Sequence, residues 1–229
     1  MHWAAVVAGS CLLAACTDGE QIVDGKVQLS LGERCYRIPL WNAELIHASP
    51  FPGISQPVSN RTLRLQFSTA ELEQAIPGFR VPHDVYGRPR KDALVSVFWR
   101  TPAEIARDDR NSQNMHYDIW YGLGDYSARV IEPIPGTSFW RIYPIAGGTW
   151  MVVTKRPDEQ RRDTHLDKDF WIATCSRMHI QGAESSCISS VEAGELTGTF
   201  YTTEANLSVR NQMMEYVLMK LDEWRAPCK

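Results

Sequence analysis

The alternation of apolar and polar positions predicts that most of this chain forms short β-strands. Residues 27–31 and 63–67 alternate strictly, as half-buried strands do. Residues 93–99 are apolar at almost every position, which predicts a central strand buried on both faces. Residues 139–145 and 149–155 flank a glycine-containing turn and predict a β-hairpin. Further strands are predicted at residues 35–40, 115–121, 170–175, 187–192 and 197–203.

Helical patterns are fewer than strand patterns. Residues 68–71 (STAE) match a capping box that begins a short helix, and residues 101–104 (TPAE) repeat the pattern with proline at the first helical position. Residues 208–225 carry apolar side chains at helical spacing on one face. The sequence therefore predicts an α+β fold. We expect a single domain with one twisted, mainly antiparallel sheet, a few short helices and a C-terminal amphipathic helix packed on that sheet.

Composition places the chain among ordinary globular proteins. It has 229 residues, of which 44% are hydrophobic and 22% charged, with a net charge of -3. No basic tract is present that would attract nucleic acid. The sequence also contains no P-loop, dinucleotide fingerprint, nucleophile elbow, H-E-x-x-H motif or EF-hand loop. We therefore expect a protein that is not an enzyme and needs no cofactor.

The N-terminus has the pattern of an export signal. Residues 3–15 are uncharged and apolar, and they are too few to cross a bilayer, which needs about 20 helical residues. The following Leu13-Ala14-Ala15-Cys16 resembles the bacterial lipobox. That resemblance implies cleavage before Cys16 and lipidation of its thiol. Cys11 is a weaker alternative, because Ala8 stands where the lipobox has an aliphatic residue.

A lipobox would also divide the chain and set its location. We expect a lipoprotein signal peptide over 1–15, a lipidated cysteine with a flexible tether over 16–26, and a globular α+β domain over 27–229. Thr17 follows the lipidated cysteine in place of an inner-membrane retention aspartate. This favours a lipid anchor in the outer membrane, facing the periplasm.

The remaining cysteines suit an oxidising compartment. Cys35, Cys175, Cys187 and Cys228 allow three pairings. Cys175 ends one predicted strand and Cys187 begins the next, so antiparallel pairing would bring them within reach of a disulfide. This leaves Cys35 to pair with Cys228. A zinc site is the alternative, although the four cysteines are scattered and form no C-x-x-C pair.

Three polar residues are candidates for chemistry. His116 and Asp118 alternate on one predicted strand, and His165 stands in a charged loop with aspartates nearby. A polar sheet face and a solvated loop explain these patterns without catalysis or a metal. We therefore predict no catalytic residue and no metal site.

Aromatic residues point to binding instead. Eight tryptophans are more than a chain of this length ordinarily carries, and most of them are expected to fill the sheet core. Two proline-rich loops, residues 47–60 and 77–92, carry other aromatic residues. Because exposed aromatic and arginine side chains dominate protein interfaces, we predict partner-binding anchors at Phe51, Phe79 and Tyr86.

One functional class unites these features. The lipobox, residues 35–39 (CYRIP) followed by a proline-rich loop, and the closing amphipathic helix resemble bacterial immunity lipoproteins encoded beside type VI secretion lipase and phospholipase effectors. The resemblance implies a periplasmic inhibitor whose partner is a secreted lipase-like toxin. The alternatives are a structural or assembly lipoprotein of an envelope complex, such as a pilotin-like subunit, and a periplasmic hydrolase.

Overall fold

A computed structural model describes residues 22–43, 61–84, 86–101, 103–104, 106, 130–143, 148–154, 170–177 and 184–228. Within these residues the chain forms strands, two α-helices and a 3-10 helix. The strands are β1 Ile22–Val23, β2 Lys26–Leu31, β3 Arg34–Pro39, β4 Thr62–Ser68, β5 Asp92–Trp99, β6 Val130–Pro133, β7 Trp140–Tyr143, β8 Thr149–Val153, β9 Trp171–Ser176, β10 Ser186–Ala193, β11 Leu196–Thr202 and β12 Arg225–Ala226. The helices are α1 Thr69–Ala75, the 3-10 helix Glu204–Val209 and α2 Arg210–Glu223.

The strands form two antiparallel sheets where the sequence predicted one. The four-stranded sheet has the order β1-β2-β3-β12, and the eight-stranded sheet has the order β4-β5-β11-β10-β9-β8-β7-β6. The fold is therefore mainly β with few helices, which corrects the predicted α+β class. The four-stranded sheet is completed by β12, which begins two residues beyond the end of α2 and pairs with β3. Next to this pairing, Arg37 N donates to Trp224 O at 2.7 Å.

Both sheets and α2 share the main hydrophobic core. The amphipathic α2 buries Met213, Met214, Tyr216, Val217 and Leu221. Phe67 of β4 packs edge-on against the ring of Tyr216, with centroids 5.6 Å apart, and stacks on Trp224 at 6.1 Å. Gly198 of β11 lets α2 approach closely, because a Cβ there would lie 2.6 Å from Met214 Sδ. The predicted C-terminal helix is thus present and packs across the eight-stranded sheet.

Strand β8 of the eight-stranded sheet is buried on both faces. Trp150 and Val152 face a cluster that includes Ile172, both bridged cysteines and Leu207. Met151 and Val153 face a second cluster with Ile142 and Phe170. An irregularity in the β8–β9 register between Val152 and Val153 brings Trp171 to the side of the second cluster. The four consecutive buried residues of β8 therefore alternate between two hydrophobic clusters, one on each face of the strand.

Two disulfides hold the fold, with the pairing predicted from the sequence. Cys175 and Cys187 lie directly opposite each other on β9 and β10, with Cα atoms 4.0 Å apart. Cys35 on β3 is bridged to Cys228 across 193 residues, with a Cα separation of 5.2 Å. In the loop-entropy model the long bridge contributes about 5 kcal/mol and the short one about 3 kcal/mol.

The two predicted capping boxes differ in the structure. Helix α1 begins at Thr69 as expected, but no side chain caps its N-terminus, and Glu71 instead accepts a hydrogen bond from the Tyr216 hydroxyl. The second box is formed, since Glu104 Oε2 accepts from Thr101 N at 2.9 Å and Glu104 N donates to Thr101 Oγ1 at 3.3 Å. In α1, the hydrogen bond from Tyr216 of α2 to Glu71 therefore takes the place of the expected local capping interaction.

The N-terminal predictions meet the structure only in part. The lipobox and Cys16 lie outside the described residues. Strand β1 begins at Ile22, within the segment expected to be a flexible tether, and it pairs with β2. Across the described ranges, no helix combines the length and apolar character needed to cross a membrane.

Candidate functional site

The 77–92 loop is organised around a single carboxylate. Residues 77–92 are described except for position 85. Asp84 Oδ1 accepts hydrogen bonds from the amides of Tyr86 at 2.8 Å and Arg88 at 3.0 Å, and Asp84 Oδ2 accepts from Arg88 Nε at 2.9 Å. These donors, led by the Arg88 amide, hold the pKa of Asp84 below its usual value. The tip of the loop is therefore ordered at neutral pH.

This tip presents an aromatic and a cationic side chain to solvent. Tyr86 is 77% exposed, and the Arg88 guanidinium lies 4.9 Å from the centre of its ring. Tyrosine and arginine are among the residues that contribute most to binding energy at protein interfaces. A tip whose backbone is already fixed loses less conformational entropy on binding than a mobile one.

Buried contacts fix the base of the loop. Asn206 of the 3-10 helix is buried and bonds both backbone groups of Arg80, accepting from its amide at 2.7 Å and donating to its carbonyl at 2.8 Å. Thr69 Oγ1 donates to the carbonyl of Arg90 at 2.6 Å. His83 Nδ1 lies 3.0 Å from Glu184 Oε1, which links the loop to the segment before β10.

Beside the loop, the outer face of the eight-stranded sheet carries a row of exposed apolar side chains. Leu94, Tyr201 and Ile188 are 37%, 46% and 45% exposed, and we call them the apolar row. Ile188 pairs with Tyr201, and the β5–β11 register places Leu94 next to Tyr201 on the other side. The three side chains thus lie across β5, β11 and β10 on one face of the sheet.

A small groove lies between the loop and the apolar row. The β5–β11 pairing ends at Val95 and Phe200, although β5 extends to Asp92 and β11 to Thr202. The groove lies at this end of the two strands. It is lined by Phe79, Pro82, Arg90, Asp92, Ala93, Leu94, Tyr201 and Thr202.

The three predicted anchors have different outcomes. Phe51 lies outside the described residues. Tyr86 is exposed at the loop tip, where a partner could reach it. Phe79 is only 5% exposed and belongs to the main core, so the expectation that it is an exposed anchor was wrong. Asn206 fixes the backbone of the next residue, Arg80, and the Phe79 side chain packs into the main core.

The apolar row was not predicted from the sequence. Residues 93–99 predicted a strand buried on both faces, yet Leu94 is exposed because nothing in the described structure covers that part of the face. Ile188 and Tyr201 alternate with buried neighbours, so the period-two pattern of β10 and β11 was the available signal. Most of the tryptophans that the structure describes pack in or against the hydrophobic clusters, as expected, whereas Trp41 is exposed.

A polar cluster between β7, β8 and the 3-10 helix has a structural role. Arg141 Nε donates to Glu204 Oε1 at 2.7 Å, and Trp150 Nε1 donates to the same oxygen at 3.1 Å. The hydrogen bonds to Glu204 raise the pKa of Arg141. Burial, followed by the nearby carboxylate of Glu132, raises the pKa of Tyr143. These contacts tie the start of the 3-10 helix to β7 and β8.

Candidate chemical residues are not brought together in what the structure describes. His116, Asp118 and His165 lie outside the described residues. Among those that are described, no group of three or more His, Cys, Asp or Glu side chains could hold a metal ion. Among the described residues, the clearest candidate for a functional feature is the surface formed by the loop tip, the groove and the apolar row.

Comparisons with known proteins add little to this geometry. No protein-family model and no curated protein matches the chain. A solved immunity protein of the Stenotrophomonas maltophilia type IV secretion system is similar to it at 13% sequence identity. That match covers 89% of this chain and 94% of the other, with a TM-score of 0.45. At this TM-score the similarity carries no argument about function.

Proposed function

We propose that this protein is a lipid-anchored immunity protein that binds a secreted toxin and blocks it by contact alone. The observation that carries the proposal is the exposed surface of Tyr86, Arg88 and the apolar row on a disulfide-held β scaffold. Contiguous exposed apolar side chains on a well-packed domain mark sites of interaction. The sequence resemblance supports a type VI lipase-like effector as the toxin.

The rigidity of this surface favours tight binding. The backbone of the tip is held by Asp84, and the loop base is held by Asn206 and Thr69. Such preorganisation reduces the entropy lost on association, and affinity then depends on a few central aromatic and arginine contacts. Inhibition by an immunity protein needs this kind of affinity and no catalytic group.

Anchoring through Cys16 supports the same role. A lipid anchor in the outer membrane would raise the local concentration of inhibitor where a lipase-like toxin attacks phospholipid. Stable attachment requires more than one buried acyl chain, which a diacylated cysteine supplies.

Titration of toxin activity tests the proposal. The full chain in detergent is added to purified effectors from type VI and type IV systems, including lipase-like effectors. We expect one effector to be inhibited completely at an equimolar ratio. Tyr86→Ala should raise the inhibition constant about thirtyfold, since losing an aromatic anchor costs about 2 kcal/mol.

Matched variants give the controls. Trp41→Ala removes another exposed aromatic residue, on the turn after β3, and should leave inhibition unchanged. His116→Ala and His165→Ala should also inhibit fully. Turnover of any substrate by this chain alone, or loss of inhibition in the folded histidine variants, would contradict binding without chemistry. Stable capture of a secretion-apparatus subunit and no effector would favour the assembly alternative.

Labelling tests the anchor separately. Wild-type protein should incorporate fatty acid and fractionate with membranes, whereas Cys16→Ser should incorporate none. Unlabelled wild-type protein in the aqueous fraction would refute the lipoprotein assignment without affecting the inhibition result.

A further inference from the structure

The groove lies in a basic part of a chain that is acidic overall. The chain has a net charge of -3. Around the groove, the 77–92 loop exposes four cations against the two carboxylates of Asp84 and Asp92. The cations are Arg80, Arg88, Arg90 and Lys91. Clustered charge of one sign steers partners of the opposite sign.

Most of this positive charge is not neutralised within the described structure. Arg88 pairs with Asp84 at 2.8 Å. Arg90 lines the groove, and neither Arg90 nor Lys91 forms an ion pair with a described residue. A carboxylate entering the groove would meet a guanidinium without displacing an existing partner.

The groove also contains an unsatisfied polar group. Thr202 is 5% exposed, and its buried Oγ1 has no hydrogen-bond partner in the described structure. Because buried hydroxyl groups are nearly always hydrogen-bonded, we expect a ligand that enters the groove to supply the partner that this oxygen lacks. The hydroxyl can donate to a carboxylate or a peptide carbonyl.

Asp92 adds one carboxylate to the lining, and the rest of the lining is apolar and aromatic. Ala93, Leu94 and Tyr201 supply side chains on the strand side, and Phe79 and Pro82 supply the loop side. This composition suits one apolar or aromatic side chain flanked by acidic residues. A basic segment would leave the cations unpaired, and a purely polar segment would leave the apolar lining uncovered.

We infer that the groove binds an acidic segment of the toxin that inserts an apolar or aromatic side chain between the loop and β11. This inference rests on the proposed function for the identity of the partner, while the chemistry of the groove rests on Arg90, Lys91, Thr202 and the apolar lining. Carboxylates of the segment pair with Arg90 and Lys91, and the inserted side chain contacts Leu94 and Tyr201.

Peptide probes test this chemistry without the toxin. Fluorescein-labelled Asp-Asp-Phe-Asp-Asp, Lys-Lys-Phe-Lys-Lys and Asp-Asp-Ser-Asp-Asp are titrated with the full chain in detergent, and binding is followed by fluorescence anisotropy. We expect only the acidic aromatic peptide to bind below about 1 mM, with affinity that falls as salt rises.

Variants locate the site. Arg90→Glu combined with Lys91→Glu should weaken binding of the acidic aromatic peptide by about tenfold or more. Thr202→Val, which keeps the side-chain shape and removes the hydroxyl, should weaken it by about threefold. Arg37→Glu reverses an exposed cation on the four-stranded sheet and should have no effect. Circular dichroism and thermal midpoints verify that each variant folds.

The outcomes separate the two proposals. Equal binding of the basic peptide, absence of acidic-peptide binding, or equal effects of the Arg37 and Arg90/Lys91 variants would overturn the acidic-segment inference. In that case, inhibition of a toxin by the wild-type chain would leave the proposed function standing. Conversely, selective acidic-peptide binding without inhibition of any effector would support the groove chemistry and contradict the immunity role.

Discussion

The outer face of the eight-stranded sheet has a closed half and an open half. Met151 on β8 is 2% exposed, whereas Ile188 and Tyr201 on β10 and β11 are nearly half exposed. The residues belong to one row, because Thr174 on β9 pairs with both Met151 and Ile188. Similar apolar side chains on one face of one sheet thus differ strongly in burial.

This difference in burial suggests that the closed half of the face contributes to stability and the open half to recognition. In the closed half, Met151 packs with Ile142, Val153 and Phe170 in a second core. In the open half, the apolar row lies beside the groove and the ordered tip of the 77–92 loop. We therefore expect substitutions in the closed half to change the free energy of unfolding, and substitutions in the open half to change binding.

The largest effect should follow from Met151→Ala. Truncating this buried side chain removes apolar contacts and leaves a cavity, so the free energy of unfolding should fall by about 2–5 kcal/mol. Urea denaturation followed by tryptophan fluorescence measures the loss. A loss below about 1 kcal/mol would show that the second cluster is not a packed core.

A change on the opposite face of β7 and β8 should cost somewhat less. Glu204→Gln removes the charge that accepts hydrogen bonds from Arg141 and Trp150, and should lower the free energy of unfolding by about 2 kcal/mol. Glu192→Gln neutralises an exposed carboxylate on β10 and serves as the control. Equal stability of the two variants would refute a stabilising role for the Arg141–Glu204 pair.

Thr202→Val should act in the opposite direction. Removing a buried hydroxyl that has no partner should raise the free energy of unfolding of the unbound protein by about 1 kcal/mol. The same variant is expected to bind the acidic probe less well. Destabilisation in urea would mean that the hydroxyl is hydrogen-bonded in the unbound protein.

Ile188→Ala gives the direct counterpart of Met151→Ala. Because the side chain is half exposed, the free energy of unfolding should change by about 0.5 kcal/mol or less. Inhibition of the toxin should nevertheless weaken by about fivefold, which corresponds to about 1 kcal/mol of binding. Loss of stability equal to that of Met151→Ala would remove the distinction between the two halves.

The smallest expected effect is a local dependence on pH in the open half. Since folding lowers the pKa of Asp84, its contribution to loop order is present above its ordinary value of 3.8 and is lost as pH falls through the folded value. Hydrogen exchange at the Tyr86 and Arg88 amides should show protection that decreases over this range. In Asp84→Asn the protection should be low at neutral pH and should not change with acid.

Local patterns predicted the elements that depend on nearby residues. The β7–β8 hairpin, helix α1 and the C-terminal helix follow from spacing within a few turns or strands, although the last begins with a 3-10 segment. The Cys175–Cys187 bridge followed from adjacent strands, and the Cys35–Cys228 bridge followed by elimination. The exposure of Tyr86 followed from its place in a proline-rich loop, and its role as a binding anchor stays a prediction.

Only the tertiary structure decided the division into two sheets and the location of the open surface. Two residues after α2 pair with β3, and no periodicity can reveal a partner so distant in sequence. Whether an apolar residue is buried depends on what packs over it, which its own hydrophobicity does not specify. For that reason Phe79 lies in the core, while Leu94 lies on the surface.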